Sequence, residues 1–238
     1  MWRCTPTPPP VPNHSPAHHV LVVAGGPPPA TAHHDWIHAS IGEPDRIVAA
    51  DSGFDNALAL GLNVTVLVGD LDSISGTGLE HARAHDVAIH EFPPDKDFTD
   101  LELAIETALD LGATHITVLD SGAGRFDHVM SNVLLMTSDR WAALESLRAI
   151  VSDCVLTISR SGTVFVYGAP GDTVTLLAAT EKVDGITTTN LEYPLANDQL
   201  TYGQTRGVSN VITASPATVS HSTGVLLIFQ PRADLIAK

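Results

Sequence analysis

The sequence predicts an α/β protein: an N-terminal three-layer domain with a mostly parallel sheet, followed by a C-terminal all-β sandwich domain. Two patterns carry this. From residue 20 to about 158, short apolar runs alternate with stretches of helical spacing. From about 159 to 238, helical spacing gives way to Thr/Val-rich runs broken by turn residues. The length of 238 residues and a hydrophobic content of 44% are ample for a buried core.

The first part predicts strands at 20–24, 46–50, 64–68, 88–92, 115–119 and 148–151. These runs are too short and β-branched for helices, and their unbroken apolarity suits strands covered on both faces. Between them, helical spacing occupies 35–41, 55–60, 78–84, 100–111 and 127–137. The fourth helix has the clearest ends, because Thr99 and Glu102 make a capping box and Gly112 suits a left-handed C′ position. Strand–helix alternation at this spacing implies right-handed crossovers and a parallel sheet. The second part predicts short strands at 164–167, 173–178, 183–188, 200–202, 208–212, 218–220 and 225–229. Residues 1–19, rich in Pro and His, are expected to form a disordered tail.

Net charge is −15, from 27 acidic and 12 basic residues, which argues against a nucleic-acid partner. No apolar run reaches the length of a membrane span. Cys4 and Cys154 are far apart, which excludes a disulfide framework and suits a reducing, cytoplasmic setting.

In an open parallel sheet, ligands bind beyond the carboxyl ends of the strands. Here the predicted strands run into Gly25-Gly26, Asp51-Ser52-Gly53, Gly69-Asp70-Leu71-Asp72-Ser73, the loop 93–100, and Asp120 to His128. Any one such loop is explained by the turn chemistry of Gly and Asp. Four acidic loops on one sheet edge are not. Asp70 and Asp72, two residues apart just past a strand, suit a hard cation such as magnesium, the alternative being that Asp70 caps a turn. Asp100 lies in the first turn of a helix, where a carboxylate is common for helix-dipole reasons alone. Lys96, between Asp95 and Asp97, is placed to reach a phosphate. The segment Gly122-Ala123-Gly124-Arg125-Phe126-Asp127-His128 offers a backbone that a ligand can approach and an Arg suited to phosphate oxygens. Its alternative is a surface Arg125–Asp127 pair. The dinucleotide fingerprint fails because its last position is Asp127, and neither a P-loop, HExxH nor GxSxG occurs.

Taken in order, Ala50-Asp51-Ser52-Gly53, Gly69-Asp70-Leu71-Asp72-Ser73, Asp97-Phe98-Thr99-Asp100, Gly124-Arg125-Phe126-Asp127-His128, Thr187 to Leu195 and Gly207-Val208-Ser209-Asn210 resemble thiamine pyrophosphokinases over roughly residues 20–230. The resemblance implies a catalytic domain at 20–158 that binds ATP and Mg2+, and a thiamine-binding sandwich at 159–238. It implies a homodimer with shared active sites that moves the terminal diphosphate of ATP to the hydroxyl of thiamine, releasing AMP. By the same likeness, Asp70, Asp72 and Asp100 would hold magnesium and, with Arg125, form the catalytic set. Asp51, Lys96, Arg125, Asp127 and His128 would line the ATP side, and Tyr193, Ser209 and Asn210 would contact thiamine. The chain departs from the family where Ser52 and Asn190 stand at frequent Gly positions and where Tyr193 replaces the Trp of some relatives. A stack of Tyr193 on a cationic ring and a buried strand Tyr are both open readings. Two rival functions are a phosphatase using the first Asp of the DxD pair, and a non-catalytic nucleotide- or thiamine-binding module.

Overall fold

The computed structural model describes residues 17–232, and its contacts divide into two compact units. The first takes the chain up to Leu135, with Ala143–Glu145 and Ala149–Ser152; the second takes Met136–Ala142, Ser146–Arg148 and the chain from Asp153.

In the first unit the elements alternate as β1 (His19–Val23), α1 (His34–Ile41), β2 (Arg46–Ala50), α2 (Gly53–Ala59), β3 (Val66–Gly69), α3 (Gly76–Ala84), β4 (Ala88–Glu91), α4 (Asp100–Asp110), β5 (His115–Asp120) and α5 (Phe126–Met136). All pairings among these strands are parallel, in the order β5-β1-β2-β3-β4, with Val22 opposite both Val48 and Val118. Alternate residues of a strand face opposite sides of a sheet. Leu21, Val23 and Ile47 pack with Ile37 and Ile41 of α1 and Ala57 of α2, joined by Ile150 of β6 (Ser146–Val151). Val20, Val22 and Val48, one residue out of step, are also fully buried, and α4 contacts β1, β2 and β3. This is the expected three-layer arrangement. The α4 cap forms as the sequence suggests, Thr99 Oγ1 accepting from the Glu102 amide at 3.2 Å.

The ordered chain starts earlier than the expected 1–19 tail allows. Ala17 is buried and its amide donates to Leu111 O at 3.1 Å, while His19 already belongs to β1. Residues 1–16, with Cys4, lie outside the described residues. Among the described residues, no helix is long and apolar enough to cross a membrane.

The second unit is antiparallel throughout its pairings. It contains β7 (Cys154–Ser159), β8 (Gly162–Val166), β9 (Thr173–Ala178), β10 (Lys182–Thr189), β11 (Asp198–Thr201), β12 (Asn210–Val211), β13 (Ala217–His221) and β14 (Leu226–Pro231). One set runs β11-β10-β13-β8 and the other β12-β9-β14-β7. Val166, Ile186, Leu200 and Val219 from the first set share one core with Val174, Leu176, Leu226 and Ile228 from the second, which makes a sandwich. Strand β7 pairs with β14, so the boundary expected at 158/159 falls inside a strand of this unit. The Cys154 thiol is free, and burial pushes it up to about 11, so it is an inert side chain.

Candidate active site

Each strand of the first unit delivers its chemistry just past its carboxyl end. Two glycines make this packing possible. A Cβ on Gly53 would lie 2.2 Å from Val23 O, so only Gly lets α2 start this close to β1. A Cβ on Gly69 would press on Asp51 Cβ at 3.1 Å and Asp100 Oδ1 at 3.2 Å, so Gly69 keeps space between the two acids.

Asp51 follows β2 with φ +47° and is buried. Its Oδ2 accepts from the Ser73 amide at 3.2 Å and its Oδ1 from the Ile74 amide at 3.1 Å. The loop carrying Asp70 and Asp72 is therefore tied to the end of β2. Leu71, at φ +61°, turns the chain between those two acids. A non-Gly residue at positive φ costs free energy, and such strain gathers at functional sites.

Ligand oxygens of Asp51, Asp70 and Asp100 lie within 4.8 Å of one another. Lys96 stands against them, its Nζ 2.9 Å from Asp70 Oδ2 and 3.1 Å from Asp100 Oδ1. Burial pushes the Asp51 and Asp100 carboxyls above their ordinary range, and neighbouring acids add to the effect. The Lys96 hydrogen bond holds Asp70 below that range. Burial acts to lower the Lys96 ammonium, but its bonds to Asp70 and Asp100 outweigh this and raise it. Asp100 Oδ1 is a buried atom that faces the Lys96 ammonium at 3.1 Å. An all-oxygen set gathered this closely fits a hard divalent cation, since a carboxylate oxygen holding one amide has a second lone pair free.

The structure therefore brings Asp51 into the cluster with Asp70 and Asp100. Asp72 lies outside it, exposed, accepting from Ser73 Oγ at 2.7 Å. A cavity of about 660 Å³ adjoins the cluster and is lined by Gly25, Gly26, Asp51, Lys96, Arg125 and His128, among others. Arg125 forms the two-pronged pair with Asp127, Nε to Oδ1 at 3.2 Å and Nη2 to Oδ2 at 2.5 Å, and still lines this cavity. Ser52, at a position where Gly was noted as frequent, accepts from the Gly26 amide at 3.1 Å. Sequence reasoning gave no role to Asn132, which donates to Asp120 Oδ2 at 2.8 Å on the cavity wall. Its spacing one turn and more into α5 was the available signal.

In the second unit, a hollow of about 280 Å³ is lined by Tyr193, Pro194, Arg206, Val208 and Asn210, among others. Tyr193 is 62% exposed and lies in no strand, which removes the buried-strand reading. Asn210 is buried and clamps it by the backbone, donating to Tyr193 O at 2.7 Å and accepting from its amide at 3.0 Å. Ser209, at φ +59°, gives its amide to Thr175 Oγ1 at 3.0 Å beside the hollow. Asn190, at a position where Gly was noted as frequent, is left-handed at φ +57°, a region that Asn tolerates. Arg206, whose role the sequence did not suggest, is held at the rim by both oxygens of Asp198.

Residues 38–144 match the catalytic domain of thiamin pyrophosphokinase, and residues 157–226 match its vitamin B1 binding domain. The chain belongs to the thiamin pyrophosphokinase family. It is 26% identical over 184 residues to the thiamine pyrophosphokinase of Bacillus subtilis, covering 77% of this chain and 86% of that one. The thiamin pyrophosphokinase structure from Geobacillus thermodenitrificans is 27% identical, with a TM-score of 0.75 over 92% of this chain and 100% of that one. A thiamin pyrophosphokinase family protein from Enterococcus faecalis is 25% identical, with a TM-score of 0.74 over 90% and 99%. In this thiamin pyrophosphokinase family member, the three clustered carboxylates lie in the catalytic segment and the Tyr193 hollow in the vitamin B1 segment.

Proposed function

We propose that the protein is a thiamine diphosphokinase. The hydroxyl oxygen of thiamine forms a bond to the β-phosphorus of ATP. The bond from that phosphorus to the oxygen bridging it to the α-phosphate breaks, AMP departs, and the hydroxyl proton is released. The observation that carries this reading is the cluster of Asp51, Asp70 and Asp100, set beside a large cavity in a chain that matches both family domains.

Diphosphoryl transfer chiefly needs positioning and charge neutralisation at the β-phosphate. Asp51, Asp70 and Asp100 would hold magnesium, with the exposed Asp72 adding its carboxylate from the same loop as Asp70, and the bound ion would neutralise the polyphosphate. Arg125 and Lys96 supply positive charge from the cavity wall. Arg125 exchanges its partner Asp127 for a phosphate, while Asp127 and His128 stay at the nucleotide side. Tyr193 stacks on the cationic ring system of thiamine, Asn210 holds Tyr193 in place, and Ser209 contacts the same substrate. The exposed row Phe126, Met130 and Leu134 on α5 supports a homodimer with shared active sites. The low cysteine count, with Cys154 a free thiol, supports a cytoplasmic setting.

The test is incubation with ATP, Mg2+ and thiamine, followed by separation of the products. AMP and thiamine diphosphate should form together, and AMP at the level of a thiamine-free control removes the reading.

A further inference from the structure

The acidic cluster already contains a cation, and it belongs to the chain. Lys96 comes from the loop after β4, and Asp100 opens α4 four residues later. The Lys96 side chain is only 10% exposed, and its Nζ faces Asp70 at 2.9 Å and Asp100 at 3.1 Å. These are two of the three residues that form the candidate metal cluster. An ammonium and a divalent ion drawn to the same few oxygens would stand within a few ångströms of each other, with little water to screen them. The ammonium and the ion therefore compete for the same carboxylates.

We infer that Lys96 is the resident counter-cation of the metal-free site, and that a divalent ion enters by expelling it. The inference rests on the reading of Asp51, Asp70 and Asp100 as a metal site. Without the ammonium, three carboxylates would face one another uncompensated. With the ammonium and the metal both present, the cations would repel. Lysine suits such an exchange, because its charge is a compact point on a flexible stem and makes no fixed two-pronged grip. Lys96 also lines the cavity that holds Arg125. Metal entry therefore releases a positive charge on the wall where a polyphosphate would lie. Metal and polyphosphate binding are coupled through one side chain, and the coupling is reciprocal.

The test titrates the full chain with Mn2+, a spectroscopically visible divalent ion, following free Mn2+ by electron paramagnetic resonance. Lys96→Met should bind Mn2+ about tenfold tighter than the wild type, the scale expected for removing one close, half-screened charge. Its metal-free melting point should fall below the wild type, with the gap closing when Mn2+ saturates the site. Lys96→Arg, which keeps the charge, should bind no tighter than the wild type. If Lys96→Met fails to fold by circular dichroism, Lys96→Gln makes the same comparison. Equal or weaker Mn2+ binding in the neutral variant overturns the inference. The metal-site reading survives that result if Asp70→Asn abolishes wild-type binding. A wild type that binds no Mn2+ overturns both.

Discussion

Asp51 accepts the Ser73 amide at 3.2 Å, and this bond ties the loop after β3 to the end of β2. The two residues are 22 apart in sequence, so the tie is purely tertiary. It explains how Asp70 is presented at a fixed place although Leu71 next to it has a left-handed backbone.

Asp51→Ala should therefore damage both stability and turnover. Two part-buried amides, those of Ser73 and Ile74, lose their acceptor. The expected cost is about 2 kcal/mol, or a fall of roughly 4–8 °C in melting point for a chain of this size. A thermal melt of wild type and variant measures it, and an unchanged midpoint would show that the loop does not depend on Asp51.

Asp72→Ala should separate chemistry from stability. Its side chain is exposed, and the bond it accepts from Ser73 Oγ is a surface contact. The melting point should stay within about 1 °C of wild type, while turnover falls by about a hundredfold or more, as for loss of a group acting on transition-state charge. Near-normal turnover would remove Asp72 from the metal assignment.

The second unit should weaken in mild acid. His221 is buried, accepts from Ser159 Oγ at Nε2 at 2.8 Å, and has Nδ1 3.2 Å from Thr223 O. Burial lowers its pKa below the ordinary imidazole value of about 6.5. The neutral ring is thus favoured in the folded state, and the unfolded chain binds more protons below 6.5. Stability should be fully present above that pH and decline as pH falls below it toward the folded-state value. His221→Gln should flatten this part of the profile in a pH series of melts. An identical slope in the variant would place the acid sensitivity elsewhere.

The layered fold was legible because buried parallel strands such as β2 and β5 are unbroken apolar runs, and because α4 carries its own cap at Thr99. Asp70 and Asp100 were legible as acids at strand and helix ends. The Asp51–Ser73 tie, the Lys96 bridge and the Asp198–Arg206 pair were not, since each depends on which loops the fold brings together. Strand β7 was missed because its apolar residues alternate with Thr and Ser at the join between the two textures, and its partner β14 lies at the far end of the chain. Tyr193 was ambiguous in sequence because one aromatic residue in a β-rich stretch looks the same whether it faces a core or a hollow.

Tyr193→Ala should raise the KM for thiamine about tenfold, the scale of one lost aromatic–cation contact, and leave the KM for ATP unchanged. Asn210→Ala should raise the same KM through the displaced Tyr193 backbone and also lower the melting point. Equal changes in both KM values for Tyr193→Ala would argue against a thiamine contact.

The central claim is a single transfer of diphosphate, and the fate of the β-phosphorus of ATP tests it most directly. With ATP labelled at that atom, plus Mg2+ and thiamine, the label should appear in thiamine diphosphate, alongside unlabelled AMP and without ADP. Label found in ADP or in inorganic phosphate, with none in thiamine diphosphate, would contradict the account.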